Sequence, residues 1–213
     1  MSKQNDLFDS AAPQEIILPK AELTLWRHFL SDADIDLISL KNKLQADLKW
    51  QQSVIKMFGK PVAIPRLNAW YADPDCDYAY SGHTLQHHDW TPLLLELKHK
   101  IETTVGHTFN SVLANYYRDG NDGVGWHSDD ERELGKNPVI ASLSLGAPRR
   151  FLLKPKGSTG VESIISETKE LALTDGSLLL MAGTTQHFWQ HSIPKERRID
   201  ASRINLTFRN ICA

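Results

Sequence analysis

Residues 203–209 alternate strictly between polar and apolar side chains, in the order Arg-Ile-Asn-Leu-Thr-Phe-Arg. Because successive side chains of a β-strand point to opposite faces, this segment predicts a strand with one apolar face and one face that carries two arginines. Such a face is stable in solvent at the edge of a sheet, or inside a barrel where anions pair with the cations. The chain is therefore expected to be rich in β-structure, and an interior position of this strand would indicate an anion site.

The chain from residue 110 onward predicts short strands separated by turns, and two helices are predicted before it. The strands are predicted at residues 111–117, 139–145, 150–153, 163–173, 177–181 and 203–209. One helix is predicted at residues 35–48 with Ser31 as its N-cap, and the other begins at Thr91 and Pro92 and ends at Gly106. This order predicts an α+β fold of the jelly-roll type with the helices on one face.

The length of 213 residues is enough for one sizeable core. We expect a flexible N-terminal arm at residues 1–20 and a single domain at residues 21–213, in which residues 21–110 precede a jelly-roll core at 111–213. Apolar runs of membrane-spanning length and the apolar core of a secretory signal are absent from the sequence, and two cysteines are too few for a disulfide framework. These features predict a protein of the cytosol, or of the nucleus in a eukaryote, that does not enter membranes.

The formal net charge of −2 does not by itself indicate a nucleic-acid partner. Two local clusters of cations nevertheless leave a basic face open. They are Lys56, Lys60 and Arg66 in one loop, and Lys195, Arg197 and Arg198 in another. An ordinary solvated surface is the alternative interpretation of each cluster.

His127 and Asp129 are separated by one residue, so on an extended segment both side chains project to the same side and can hold one ion. A third ligand is available from His187 or His191, farther along the chain. Two imidazoles and one carboxylate are the ligand set of non-haem Fe(II) oxygenases, which leave open positions for O2 and a co-substrate. Zinc binds the same residue types, so the ligands alone leave both metals open.

Four segments together resemble the AlkB family of Fe(II)- and 2-oxoglutarate-dependent dealkylases. They are residues 115–120 (Asn-Tyr-Tyr-Arg-Asp-Gly), 126–131 (Trp-His-Ser-Asp-Asp-Glu), 191–194 (His-Ser-Ile-Pro) and the Arg-x-Asn-x-Thr-x-Arg motif at 203–209. The resemblance covers residues 53–211. Within the family, the run at residues 129–134 and the short spacing from His191 to Arg203 are more similar to the branch that repairs double-stranded DNA than to the founding bacterial enzyme.

The resemblance implies a double-stranded β-helix that binds Fe(II) through His127, Asp129 and His191, with His187 as a neighbour rather than a ligand. It also implies 2-oxoglutarate and O2 as co-substrates. The 2-oxoglutarate site would be formed by side chains of two strands, namely Asn115, Tyr117, Arg203, Asn205 and Arg209. Within that set, Arg203 would bind the distal carboxylate and Arg209 would lie near the keto-acid end.

The segment before the second helix resembles the lid that forms a wall of the base pocket in this family. Tyr80 would stack on an extruded base opposite a metal ligand, and Tyr78 and Glu131 would bond the edge of the base or each other. Asp130 would face the exocyclic amino group and also approach Arg209. Half-buried strand positions are the alternative interpretation of the two tyrosines.

Phe58 stands beside a turn glycine, where the double-strand-acting branch has a hydrophobic hairpin residue. The resemblance implies that Phe58 fills the gap left by the extruded base, and a position in the core is the alternative. The cations of the two loop clusters, Arg66 included, would bind phosphates of the substrate.

These features predict a monomeric enzyme of direct-reversal repair, which oxidatively dealkylates bases such as 1-methyladenine and 3-methylcytosine in alkylated DNA. One alternative keeps the chemistry but changes the substrate to RNA or to a protein side chain. A second is a non-catalytic jelly roll that binds an alkylated base or another ligand, and a third is a zinc-dependent hydrolase.

Overall fold

The structure is a computed structural model that describes residues 12–30, 35–57, 59–76, 79–80, 83–84, 87–157 and 167–212. For residues 55–57, 79–80 and 83–84 the description is of the backbone. Within all of these residues, no helix is long and apolar enough to cross a membrane.

The larger of two main sheets contains seven strands. They are β1 Gln14–Leu18, β2 Ala21–Trp26, β5 Leu67–Ala72, β8 Ser111–Tyr117, β10 Ile140–Gly146, β13 Leu178–Ala182 and β15 Arg203–Arg209. Their spatial order is β1-β2-β13-β10-β15-β8-β5, and every neighbouring pair is antiparallel. The arginine strand β15 therefore lies in the interior of the sheet, between β10 and β8, and not at an edge.

The smaller sheet has four antiparallel strands, which are β9 Val124–His127, β11 Arg149–Pro155, β12 Lys169–Leu173 and β14 Trp189–Ile193. Their spatial order is β12-β11-β14-β9. Two hairpins stand apart from both sheets, formed by β3 Val54–Met57 with β4 Lys60–Ala63, and by β6 Ala79–Tyr80 with β7 His83–Thr84. The helices are α1 Leu37–Asp47, α2 Pro92–Val105, the short α3 Thr185–Phe188 and a 3-10 turn at Arg132–Leu134.

Two layers of apolar packing hold these elements together. Between the two sheets, Met181 of β13 belongs to the same buried cluster as Phe151 and Leu153 of β11. On the opposite face of the larger sheet, Leu44 of α1 and Leu94 of α2 pack in a second cluster with strand residues of β10 and β15. The arrangement confirms the predicted jelly roll with helices on one face.

The second helix matches its predicted ends. The Thr91 hydroxyl accepts a hydrogen bond from the Leu94 backbone N–H at 3.2 Å, Pro92 follows the cap, and Gly106 ends the helix in the left-handed conformation. The first helix begins later than predicted, because the Asp36 carboxylate caps it by accepting from the backbone N–H groups of residues 38 and 39. The predicted cap Ser31 lies outside the described residues.

The predicted boundaries of the arm and of the jelly-roll core were wrong. Strand β1 lies inside the predicted arm and pairs with β2, because Ile16 and Leu18 alternate with exposed residues and bury their side chains between the sheets. Strands β1, β2 and β5 all precede residue 111 and belong to the larger sheet, so the first half of the chain supplies part of the core.

Candidate metal centre and anion cavity

His127, Asp129 and His191 converge where the smaller sheet faces the larger one. One ligand atom from each residue lies within 4.8 Å of the others. His127 is the last residue of β9, Asp129 follows it, and His191 on β14 stands opposite His127 in the register of the two strands. Strand pairing thus brings the distant histidine to the H-x-D segment, as the sequence predicted.

The hydrogen bonds of the histidines distinguish ligands from neighbours. The Nδ1 atom of His127 lies 2.9 Å from the Gly125 carbonyl oxygen, so Nδ1 carries the proton and Nε2 is free for a metal. His187 instead contacts the carbonyl oxygen of Lys136 and the side-chain oxygen of Asn137, away from the three converging residues. The structure therefore selects His191 over His187 as the third member.

The charge states of the cluster suit a divalent cation. Burial alone would raise the pKa of Asp129, but the positive charge of Arg209 lowers it below its ordinary value, and Arg209 donates a hydrogen bond of 2.9 Å to the carboxylate. Burial, assisted by His127, lowers the pKa of His191 to about 3. At neutral pH the site thus offers a carboxylate and neutral imidazole, which metals require of their ligands.

Two hydrogen bonds fix the backbone around Asp129. Its N–H donates to the side-chain oxygen of Gln186 at 3.0 Å, and the Ser128 hydroxyl donates to the Trp189 carbonyl oxygen at 2.9 Å. Gln186 belongs to α3 and is fully buried. The turn after β9 is therefore attached to the segment that carries His191, which fixes the distance between the two ligands.

The cavity beside the metal ligands is lined by the polar face of β15. Arg203 is only 1% exposed and donates from Nη2 to the Ser144 hydroxyl at 2.9 Å. Its Nε and Nη1 atoms are buried without a hydrogen-bond partner among the described residues, and burial lowers the pKa of the guanidinium. A buried cation with free donors is stable only beside an anion, so the cavity suits a carboxylate.

The remaining residues of the predicted anion site are also in this cavity. Asn115 and Tyr117 of β8 stand opposite Asn205 and Arg203 in the strand register. The Tyr117 ring centre lies 5.1 Å from the Arg203 guanidinium. Asn205 donates to the Ser142 hydroxyl and to the Leu143 carbonyl oxygen, so its amide mainly joins β15 to β10.

The role predicted for Arg66 was wrong. Arg66 is buried, and its Nε donates to the Asn115 side-chain oxygen at 2.7 Å, so it faces the anion cavity and not solvent phosphates. The predicted approach of Asp130 to Arg209 was also wrong, because Arg209 pairs with Asp129 while Asp130 pairs with Lys156 at 2.6 Å.

The other predicted substrate residues are only partly described. Glu131 is half-buried and directly follows the exposed Asp130, which is next to the ligand Asp129 in the chain. Phe58 and Tyr78 lie outside the described residues, as does the side chain of Tyr80. The predicted contacts of these residues with a base therefore stay predictions.

Several residues of the site were not predicted from the sequence. Gln186 supports Asp129, Ser144 supports Arg203, and the Phe151 ring stacks on His191 with ring centres 5.2 Å apart. Each belongs to an element whose pairing partner is distant in sequence, so spacing along the chain carries no signal for it.

Comparisons with known proteins agree with this geometry. The model of the 2OG-Fe(II) oxygenase superfamily matches residues 22–209. The rat (Rattus norvegicus) protein "Alpha-ketoglutarate-dependent dioxygenase alkB homolog 3" is 44% identical over 172 residues, which are 79% of this chain and 58% of that protein. The mouse (Mus musculus) "DNA oxidative demethylase ALKBH2" is 38% identical over 200 residues, which are 87% of this chain and 84% of that protein. The chain thus spans less than two thirds of the alkB homolog 3 protein.

Solved structures share the fold at low sequence identity. The structure of OsALKBH1 covers 92% of this chain and all of its own, with a TM-score of 0.63 at 16% identity. A prolyl hydroxylase from Trichoplax adhaerens covers 89% of this chain and 83% of its own, with a TM-score of 0.56 at 12% identity. These likenesses show the jelly-roll fold alone.

Proposed function

Because the chain belongs to the AlkB family of the 2OG-Fe(II) oxygenase superfamily, we propose that it is an Fe(II)- and 2-oxoglutarate-dependent dioxygenase that dealkylates bases in DNA. One observation carries the proposal. The three converging ligands and the buried Arg203, with donor atoms still free, line the same cavity. A metal and a carboxylate-bearing co-substrate can therefore bind side by side.

His127, Asp129 and His191 would hold Fe(II), and with 2-oxoglutarate and O2 such iron supplies the oxidation of an N-alkyl carbon, which then leaves as an aldehyde. The chain itself positions the reactants. Arg203 would bind the distal carboxylate of 2-oxoglutarate, and Arg209 keeps Asp129 ionised. Phe151 covers one side of His191 and excludes water from it.

The choice of a base as substrate rests on the substrate side of the centre. The His127 side chain remains 31% exposed, so one ligand ring faces the mouth of the site where a flat base can approach. The mouse relative ALKBH2 is named as a DNA oxidative demethylase. Stacking of the base between His127 and Tyr80, edge contacts of Tyr78, Asp130 and Glu131, and a wedge function of Phe58 form part of this proposal.

The test is incubation of the protein with Fe(II), 2-oxoglutarate and oligonucleotides that carry 1-methyladenine or 3-methylcytosine. Single-stranded DNA, duplex DNA and RNA are compared, and mass spectrometry follows both the loss of the methyl group and the formation of succinate. We expect methyl loss from DNA that depends on iron and on 2-oxoglutarate. Asp129→Ala is expected to abolish it.

Other outcomes identify the alternatives. Methyl loss from RNA alone would keep the enzyme class and change the substrate. Turnover with zinc and without 2-oxoglutarate would indicate a hydrolase, and binding of an alkylated oligonucleotide without any succinate would indicate a non-catalytic protein. Each of these results would overturn the proposed DNA dealkylase.

A further inference from the structure

A tryptophan is exposed directly beside a metal ligand. Trp126 precedes His127 on β9, and 38% of its surface is accessible although large aromatic side chains usually bury more. Strand β9 is an edge strand of the smaller sheet, and Gly125 beside it has open space where a side chain would be. Adjacent strand residues point to opposite faces, so His127 faces the metal centre while Trp126 faces outward.

A cation accompanies this tryptophan. The Lys154 ammonium group of β11 lies 4.5 Å from the centre of the Trp126 ring. Lys154 forms no ion pair with any carboxylate among the described residues, whereas its neighbour Lys156 pairs with Asp130. The ammonium group is therefore available to an external anion.

An open groove of about 460 Å³ is lined by both Trp126 and the metal ligand His127. Its walls are mostly apolar and are formed by Val62 of β4, by Pro65 just after that strand, and by β9. Lys195 also lines the groove, and the exposed Arg197 follows in the same loop. The groove thus combines an aromatic ring, apolar walls and the cation of Lys195, and Lys154 lies over the aromatic ring, although the whole chain has a net charge of −2.

We propose that Trp126 and Lys154 bind the single nucleic-acid strand next to the base that occupies the metal centre. The indole stacks on an unpaired neighbouring base, the ammonium group contacts a phosphate, and the strand continues along the groove toward Lys195. Aromatic rings and cations in one groove are how proteins bind single strands without reading their sequence. The proposal rests on the proposed function, because that function places a base against His127.

The geometry selects a single strand over a duplex. An indole can stack only on a base whose face is uncovered, and in a duplex the neighbouring bases are already stacked on each other. A groove with apolar walls also suits unstacked bases, whereas a duplex presents its phosphates to a protein surface. The Trp126–Lys154 pair is therefore expected to contribute more to the binding of single strands than of duplexes.

The test measures binding of unmodified, fluorescently labelled DNA to the full chain loaded with Mn(II) and 2-oxoglutarate. Trp126→Ala is expected to weaken binding of a single-stranded 12-mer about tenfold, with a smaller loss in Trp126→Phe, because a stacked base contributes on that order. Lys154→Ala is expected to reduce the salt dependence of log Kd by about 0.7, the value for one phosphate contact to a single strand. Duplex binding is expected to change less.

Two controls match these variants. Ile17→Ala removes another exposed apolar side chain at the far edge of the larger sheet, and Lys43→Ala removes an exposed cation of α1. Neither is expected to alter DNA binding. Mn(II) affinity and thermal midpoint are measured for every variant, to show that each one is folded. If Trp126→Ala unfolds, the DNA affinities of Trp126→Phe and Lys154→Ala are used in its place.

Equal Kd values for the Trp126 variants and for Ile17→Ala would overturn the inference, as would equal losses on single strands and duplexes. Because the DNA in this assay is unmodified, the result does not depend on turnover. The variants could bind DNA more weakly although the protein removes no methyl group from any substrate. That result would support the strand contact and reject the dealkylase.

Discussion

Asp129 is the residue on which the most interactions of the site converge. It is a candidate metal ligand through its carboxylate, it accepts a hydrogen bond from Arg209, and its backbone N–H donates to Gln186. Arg209 comes from the larger sheet and Gln186 from the segment before β14, so the orientation of one carboxylate depends on two distant elements. Mutation of groups that orient a ligand in this way commonly lowers the affinity for the metal.

Gln186→Leu is therefore expected to weaken Mn(II) binding by about tenfold, because the Asp129 N–H loses its acceptor and the carboxylate loses its fixed orientation. The buried N–H left without a partner also costs about 1–3 kcal/mol of stability. Isothermal titration with Mn(II) measures the first effect and urea unfolding the second. His187→Ala is the matched control, since that neighbour contacts residues 136 and 137 and should leave Mn(II) affinity unchanged. Unchanged affinity in Gln186→Leu would contradict the positioning role.

Arg203→Met is expected to raise the requirement for 2-oxoglutarate by at least about thirtyfold. The estimate corresponds to about 2 kcal/mol, the lower range for removal of one partner of a buried charge pair. Mn(II) affinity should remain, because Arg203 does not contact the three ligands. The dependence of succinate formation on 2-oxoglutarate concentration measures the effect, and Arg203→Lys shows how much of it needs the planar guanidinium. A wild-type dependence in a folded Arg203→Met protein would remove Arg203 from the anion site.

The sequence predicted those site residues whose spacing along the chain places their side chains on one face of a strand. His127 with Asp129, and Arg203 with Arg209, follow the two-residue period of a strand, and that period survives in the structure. Gln186 could not be predicted in the same way, because its function depends on a hydrogen bond to a residue 57 positions away. Arg66 was mispredicted because a cation among other cations in a loop suggested exposure to solvent, whereas in the structure it is buried against Asn115.

Among the secondary-structure elements, strands in which polar and apolar residues strictly alternate were predicted most accurately. β8 and β15 have the predicted bounds, and α2 has both predicted caps. β1 also alternates, through Ile16 and Leu18, but its polar neighbours made it resemble an arm. β14 was not predicted because four of its five residues are buried by strands on both sides, which removes the alternation that identifies a half-buried strand.

The turn between β8 and β9 is organised by a buried carboxylate. Asp122 accepts hydrogen bonds from the Arg118 backbone N–H at 2.9 Å and from Nε and Nη2 of its guanidinium at 2.8 and 2.9 Å. Burial would raise the pKa of Asp122, but the hydrogen bonds from Arg118 outweigh it and lower the pKa below the ordinary value. Because β9 follows this turn and ends at His127, the turn fixes the position of the first metal ligand.

Asp122→Asn is expected to cost about 2 kcal/mol of stability at pH 7, the range for hydrogen bonds to a charged group. A carboxylate with a lowered pKa stabilises the fold above its unfolded pKa of about 3.9 and loses that effect as the pH falls through the folded value. The difference between wild type and variant should therefore be constant from pH 7 to about 5 and shrink toward pH 3. Urea unfolding across this range measures it, with the exposed Asp200→Asn as the control. A difference that grows on acidification would contradict the assignment.

In the molecule as a whole, the two sheets divide the site between them. The smaller sheet supplies His127 and His191, and the larger one supplies the arginines, so metal and co-substrate together bridge two layers that are otherwise joined by apolar packing. Ligands that bind only the folded state stabilise it by mass action, and here the two ligands act on the same interface. The unliganded protein is therefore expected to be the least stable form.

Mn(II) and 2-oxoglutarate together, each at about 100 times its Kd, are expected to raise the thermal midpoint by roughly 10–20 °C. The estimate follows from about 2.7 kcal/mol per saturating ligand and a shift of about 2–4 °C per kcal/mol for a chain of this size. A chelator should reverse it. Asp129→Ala should lose the response to Mn(II), whereas Arg203→Met should keep that response and lose the further rise with 2-oxoglutarate. Differential scanning calorimetry separates these cases, and a 2-oxoglutarate response retained in Arg203→Met would show that Arg203 does not bind 2-oxoglutarate.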